Sequence, residues 1–119
     1  MEAKIESKYI TDFHFHFPAK GEQIEAATSV KGRFGKSSSK GENTAVIEIN
    51  VRIDSADNDF LIELTEEIVY SFNEDVRITD ELLNEIFTNE GINIVSDDLD
   101  NALNGIGKPK INIKHSIKN

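Results

Sequence analysis

Two neighbouring stretches decide the fold: VIEINVRI at residues 46–53 and FLIELTEEIVYSF at residues 60–72. In both, apolar residues recur at a spacing of two along one face and most residues on the other face are polar, which is the period of a half-buried β-strand. The acidic segment 54–59 between them suits a turn. The two stretches are therefore predicted to form a long antiparallel hairpin.

Two further strands are expected before this hairpin. The segment 5–17 begins irregularly and then places one aromatic row on a single face: Phe13, Phe15 and Phe17. A weaker alternation runs from Ile24 to Phe34 and predicts a second strand. The polar, glycine-containing segment 35–41 is interpreted as a flexible connection.

Beyond the hairpin the apolar period changes to that of helices. Thr79 is a good N-cap, and an apolar stripe follows it until the polar segment 89–91. Ser96 is predicted to cap a second helix that ends near Gly105 and Gly107. The sequence thus predicts an α+β fold, a four-stranded antiparallel sheet with two helices packed on one face.

Composition narrows the class of protein. A chain of 119 residues is expected to form a single domain over residues 1–119. The net charge of −9 argues against binding to nucleic acid, which depends on basic side chains. No apolar run is long enough to span a membrane, and the N-terminus lacks the apolar core of a signal peptide, so we expect a cytoplasmic protein. With no cysteine, disulfides and thiolate metal sites are excluded.

Motifs for chemistry are weak. His14 and His16, with Asp12, project from one strand face and could hold a metal, but a fourth ligand is not evident. Polar residues that alternate with phenylalanines on a strand more often form its solvent-exposed face. The segment 35–37 lacks the earlier glycine of a phosphate-binding loop, and the turn 54–59 lacks the glycine and glutamate of a calcium loop. No nucleophile and base stand out, so no enzyme is predicted.

The order of elements resembles that of the SecB-like family of protein-export chaperones. Residues 60–64 resemble the start of the family's last strand, residues 69–72 its apolar end, and residues 107–113 the segment after its main helix. The N-terminal stretch FHFHFP at residues 13–18 is similar to the family's first strand. The family's aromatic opening to the main helix is replaced here by residues 94–98.

The resemblance implies a holdase that binds unfolded or aggregation-prone polypeptides without ATP or another cofactor, in the cytoplasm and as a dimer or tetramer. It places Leu61 and Glu63 on a strand face that contacts the export ATPase SecA, and Ile62 and Leu64 on the alternate face, which joins subunits. Large apolar side chains are more often buried for packing than left for a client, so most of the candidate client-binding residues could simply be core. These candidates are Phe13, Phe15, Phe17, Ile24, Phe34, Tyr70 and Phe72.

Other interpretations remain open. The chain could be a shortened relative dedicated to one client. It could also be an oligomeric assembly or accessory protein of a mobile element that uses the same sheet for fixed protein contacts, or a small metal-binding protein that uses His14 and His16.

Overall fold

The computed structural model describes residues 3–17, 26–39, 42–56, 59–111 and 113. Four strands precede a helical region. The elements are β1 (Ala3–His16), β2 (Ala26–Ser39), β3 (Glu42–Ser55), β4 (Leu61–Phe72), α1 (Asp80–Ile86), a π-helical turn (Phe87–Gly91) and α2 (Ile92–Gly105). The strands form one antiparallel sheet in the order β1-β4-β3-β2, and the helices cover one of its faces, so the predicted α+β fold is confirmed.

The central hairpin is confirmed. β3 and β4 pair in register, with Ile47 opposite Ile68 and Val51 opposite Leu64. At the turn, the Ser55 backbone N–H donates to the Phe60 carbonyl (3.1 Å) and the Phe60 N–H donates to Ser55 Oγ (3.0 Å). Along β4 every second side chain is buried beneath the helices, as the alternation predicts.

The predicted flexible connection at residues 35–41 is wrong for the part that the structure describes. β2 continues to Ser39, with Gly35 opposite Val46 and Ser39 opposite Glu42. Backbone pairing with β3 satisfies the N–H and C=O groups here whatever the side chains are, so a polar composition does not prevent a strand. Ile24, where the predicted second strand began, lies outside the described residues.

β1 is a strand along its whole length, although apolar and polar residues do not alternate regularly in the first half of its sequence. Its register against β4 shifts twice, between Ile5 and Ser7 and between Ile10 and Asp12. Each shift inserts one residue, as a β-bulge does, and changes which sequence positions face the helices. This accounts for the irregular start of the pattern in the sequence.

The helical region is continuous, and the predicted break near Gly91 is wrong. Thr79 does act as the N-cap, since its Oγ1 accepts from the Leu82 N–H (3.1 Å). Gly91, however, is a packing residue, because a Cβ built there would lie 2.9 Å from Ile49 Cδ1. Ser96 is fully buried within α2 instead of capping a second helix.

The end of α2 matches the prediction. Gly107 has a φ of 78° and donates its N–H to the Asn104 carbonyl (3.1 Å), while the Lys108 N–H donates to the Leu103 carbonyl (2.8 Å). This pair of bonds is a Schellman motif. The chain then turns back, and the buried Asp100 accepts the Ile111 N–H (2.9 Å).

The core lies between the helices and one face of β3 and β4. The side chains of Leu83, Val95, Leu99 and Leu103 are buried there with the apolar rows of the two strands. The opposite face of the sheet, called the open face below, carries mainly polar side chains that are partly exposed. Within the described part of the chain, no helix has the length and apolar character that a membrane crossing requires.

Candidate functional site

The helix side of β1 carries apolar side chains that remain partly exposed. β1 is an edge strand, and its residues Ile5, Phe13 and Phe15 pair with buried residues of β4, so they point to the side that the helices cover. The helices cover this side incompletely. We call the following residues the edge strip: Ile5, Ile10, Phe13, Phe15 and Phe17. Of these, Ile5, Ile10 and Phe15 are 38%, 42% and 46% exposed.

Aromatic contacts hold one end of the edge strip together. The ring centroids are 5.3 Å apart for Phe13–Phe15, 5.7 Å for Phe15–Phe17 and 5.5 Å for Phe17–Phe60. Such tilted and edge-on arrangements are favourable for aromatic rings. The Lys108 ammonium lies 4.5 Å from the centre of the Phe17 ring, which ties the segment after α2 to this row. The result is a continuous aromatic surface at the sheet edge.

The structure separates the other predicted client-binding residues from this row. Phe34 lies on β2, at the opposite edge of the sheet, and packs against Phe87 with centroids 6.2 Å apart. Tyr70 is fully buried and Phe72 nearly so. Burial, with the nearby carboxyls of Glu90 and Glu66, raises the pKa of Tyr70 above its ordinary value. Ile24 is outside the described residues. Of the candidates that the structure describes, it brings together the three N-terminal phenylalanines.

The residues predicted to contact partners lie on the two faces of β4. Leu61 and Glu63 are on the open face, where Glu63 accepts from Arg52 Nη1 (3.3 Å) and Asn50 Nδ2 (3.2 Å). Ile62 and Leu64 are buried beneath the helices of the same chain. A single chain does not test either predicted role. Any role of Ile62 and Leu64 between subunits is indirect while the helices are packed as they are here.

The two histidines of β1 have separate partners. His14 Nε2 lies 2.7 Å from Asp12 Oδ1, and His16 Nδ1 lies 2.9 Å from the Asp59 carbonyl oxygen. In the ranges that the structure describes, no group of three His, Asp or Glu side chains is placed to hold a metal ion. The metal-binding interpretation therefore gains no support from the geometry.

One charged cluster was missed by the sequence analysis. Glu66 of β4 is 2% exposed and lies beneath the helices. Lys8 on β1 donates to both carboxylate oxygens of Asp98 on α2, at 3.0 Å and 2.9 Å. Burial, followed by a hydrogen bond to Asp98 and the charge of that carboxylate, raises the pKa of Glu66 to about 8, and Lys8 opposes this shift.

A signal for this cluster was present in the sequence. Glu66 occupies the position in β4 where the apolar alternation from Leu64 to Ile68 requires a buried side chain. Lys8 and Ile10 gave no comparable signal, because the two bulges of β1 decide which way they point.

Comparison with known proteins identifies the fold. No protein-family model and no curated protein sequence matches the chain. A solved structure of the Mycobacterium tuberculosis SecB-like chaperone Rv1957, in complex with a ChAD peptide from the HigA1 antitoxin, is similar with a TM-score of 0.64 and 8% identity, over 92% of this chain and 83% of that one. A Streptococcus agalactiae protein of unknown function is similar with a TM-score of 0.56 and 12% identity, over 93% and 95% of the two chains.

These matches define the class of fold. The first similar structure is a SecB-like chaperone, and the match extends over 92% of this chain, which includes its four-stranded sheet. The chain therefore has the SecB-like fold, as the resemblance in its sequence indicated. At 8% and 12% identity, the likeness is one of fold and leaves function to be argued from the site.

Proposed function

We propose that this protein is a chaperone-like holdase that binds unfolded or aggregation-prone polypeptides on the edge strip, without ATP. The observation that carries the proposal is the exposure of Phe15, Ile5 and Ile10 in one line along a sheet edge. Monomeric proteins rarely leave such contiguous apolar surface uncovered unless it binds something. The peptide bound to the structurally similar Rv1957 supports a polypeptide as the ligand.

The position of the edge strip suits an extended chain. Within the described residues, β1 pairs with β4 on one side only, so its other side presents backbone N–H and C=O groups. An extended polypeptide can pair with such an edge while its apolar side chains contact the strip. The net charge of −9 keeps a protein with exposed apolar surface soluble through like-charge repulsion.

Suppression of aggregation tests the proposal. Phe15→Ser should weaken protection of a heat-unfolded reporter enzyme, measured by light scattering, and weaken binding of a labelled apolar peptide, measured by fluorescence anisotropy. Removing a half-exposed Phe contact should cost about 1–2 kcal/mol, or about 5- to 30-fold in affinity.

A matched control is available on the other face of the sheet. Val69 is apolar and partly exposed, and it lies on the open face of β4, where it pairs with Ser7 of β1. Val69→Ser should leave protection and peptide affinity unchanged. Equal loss in the two variants, or no protection by the wild-type protein, would reject the edge strip as a client surface. The second result would favour an assembly subunit with fixed contacts.

A role in protein export is a further proposal that rests on the resemblance. In that role Leu61 and Glu63, on the open face of β4, would contact SecA. Glu63→Lys should then abolish co-purification with SecA while leaving aggregation suppression intact. Retained SecA binding would exclude this contact, and the absence of SecA binding by the wild-type protein would point to a client outside export.

A further inference from the structure

A cavity opens between β1 and α2, next to the edge strip. It has a volume of about 420 Å³, and its walls include Ile10 of β1 and Ala102 of α2. Three charged side chains line it: Lys8, Glu66 and Asp98. Lys8 is the most exposed of the three and Glu66 the least, so Lys8 lies toward solvent and Glu66 at the inner end.

In the cluster of Lys8, Glu66 and Asp98, one carboxyl oxygen has no hydrogen-bond donor. Lys8 is committed to both oxygens of Asp98. Glu66 Oε1 is buried and has no hydrogen-bond partner in the described part of the chain. A buried acceptor without a donor costs free energy. The missing component is a donor, and a positively charged one would be favoured by the two carboxyl groups.

We propose that this cavity binds the basic side chain of a polypeptide, an arginine guanidinium or a lysine ammonium, between Glu66 and Asp98. A long basic side chain matches the site because its alkyl stem can pack on Ile10 and Ala102 while its charged end reaches the carboxyls. In the absence of a ligand, the Lys8 ammonium donates to the Asp98 carboxylate and so neutralises that side of the site. The source of the side chain rests on the proposed function, since the cavity adjoins the surface proposed to bind clients.

Cation binding at this site should release a proton. The charged and titratable groups around Glu66 are Lys8 from β1, Asp98 from α2 and Tyr70 from its own strand. Because the pKa of Glu66 is about 8, its carboxyl is largely protonated at neutral pH in the unliganded protein. A bound cation favours the carboxylate and lowers that pKa.

The test follows the titration of Glu66 by NMR, without any client. The side-chain carboxyl carbon of Glu66 is assigned by its loss in Glu66→Gln and titrated in ethylguanidinium chloride, the end of an arginine side chain, and in sodium chloride of equal ionic strength. The midpoint should be lower in ethylguanidinium by about one pH unit.

The Lys8→Ala variant provides a second test of cation binding. Removing the resident ammonium should raise the Glu66 midpoint in sodium chloride, and ethylguanidinium should bring it back toward the wild-type value. This rescue distinguishes a cation site from a general salt effect, and Lys8 is exposed enough that the variant should fold.

Two results would overturn the proposal. Equal midpoints in the two salts, for both the wild type and Lys8→Ala, would mean that the cavity does not bind the cation. A fall caused by calcium chloride but not by ethylguanidinium would assign the carboxyls to a metal instead. Neither result depends on aggregation suppression, so failure of this site and failure of the holdase function are separable.

Discussion

Replacing Glu66 by Gln should remove a large part of the dependence of stability on pH. Glu66 lies in the apolar row of β4 between Leu64 and Ile68, and its Oε1 has no hydrogen-bond partner in the residues described. Gln has nearly the same shape, cannot ionise and can donate its amide N–H to Asp98. The substitution therefore changes the charge and little else.

The magnitude follows from the difference between the two pKa values. The carboxyl has a pKa of 4.5 in the unfolded chain and about 8 in the folded protein. Between these values the folded state holds a proton that the unfolded state has released, so the free energy of unfolding falls as pH rises. At about 1.4 kcal/mol per pH unit, the loss accumulates to at most roughly 5 kcal/mol across the window from 4.5 to about 8. The interactions of Asp98 and Lys8 with Glu66 change when Glu66 ionises, which reduces the loss. We therefore expect the free energy of unfolding to fall by ~2–4 kcal/mol across this window.

The stability of Glu66→Gln should equal that of the wild type near the acid end of this window and exceed it increasingly toward pH 8. Above about 8 the difference becomes constant, because both states of the wild type have then lost the proton. Below 4.5 it is constant as well, since both states are protonated.

Urea unfolding followed by circular dichroism, at a series of pH values across this range, measures the difference directly. Glu67→Gln is the matched control: it removes one acidic residue from β4 on the partly exposed open face. It removes a carboxyl of the same kind from a less buried position, so the contribution of the buried position is read from the difference between the two variants. If the Glu66→Gln curve runs parallel to the wild type, the buried carboxyl does not retain its proton on folding, and the reasoning from burial is refuted.

Three further predictions concern the packing of the helical region and are checked by thermal or urea unfolding. Gly107→Ala should destabilise by about 1 kcal/mol, since a side chain at a φ of 78° is strained; a neutral result would mean that the Schellman turn relaxes. Gly32→Ala should cost about 1–3 kcal/mol because the new Cβ would lie 2.9 Å from Phe87 Cε1, whereas Gly35→Ala, with nothing within 4 Å, should be close to neutral. Thr79→Ala should cost about 0.5–2 kcal/mol by removing the N-cap, and Thr79→Ser should recover most of it.

The parts of the fold that sequence predicted well are those where local pattern and global packing agree. β3 and β4 are central strands with one face on the core, so a period of two is imposed on both. The caps at Thr79 and Gly107 are local too, because each depends on backbone groups a few residues away. Such features can be read from one segment at a time.

The helix break was mispredicted because a glycine can either end a helix or allow close packing against it, and the sequence alone does not distinguish these two roles. Gly107 ends a helix through its positive φ. Gly91 instead admits Ile49 against the helix backbone, so the chain passes through the π-helical turn without ending. The distance to a strand more than forty residues away decides between the two, and no local pattern contains it.

The candidate site, too, depends on a feature that the local sequence does not show: the two bulges of β1. Had β1 kept a strict alternation, one set of sequence positions would face the helices along its whole length. The shifts after Ile5 and Ile10 instead place Lys8 and Ile10 on the helix side, beside Glu66 and Asp98. The same two bulges thus set both the apolar edge strip and the charged cavity next to it. A client that used both would present apolar residues with a basic side chain among them, and a peptide series that varies only that side chain would reveal whether the two surfaces act together.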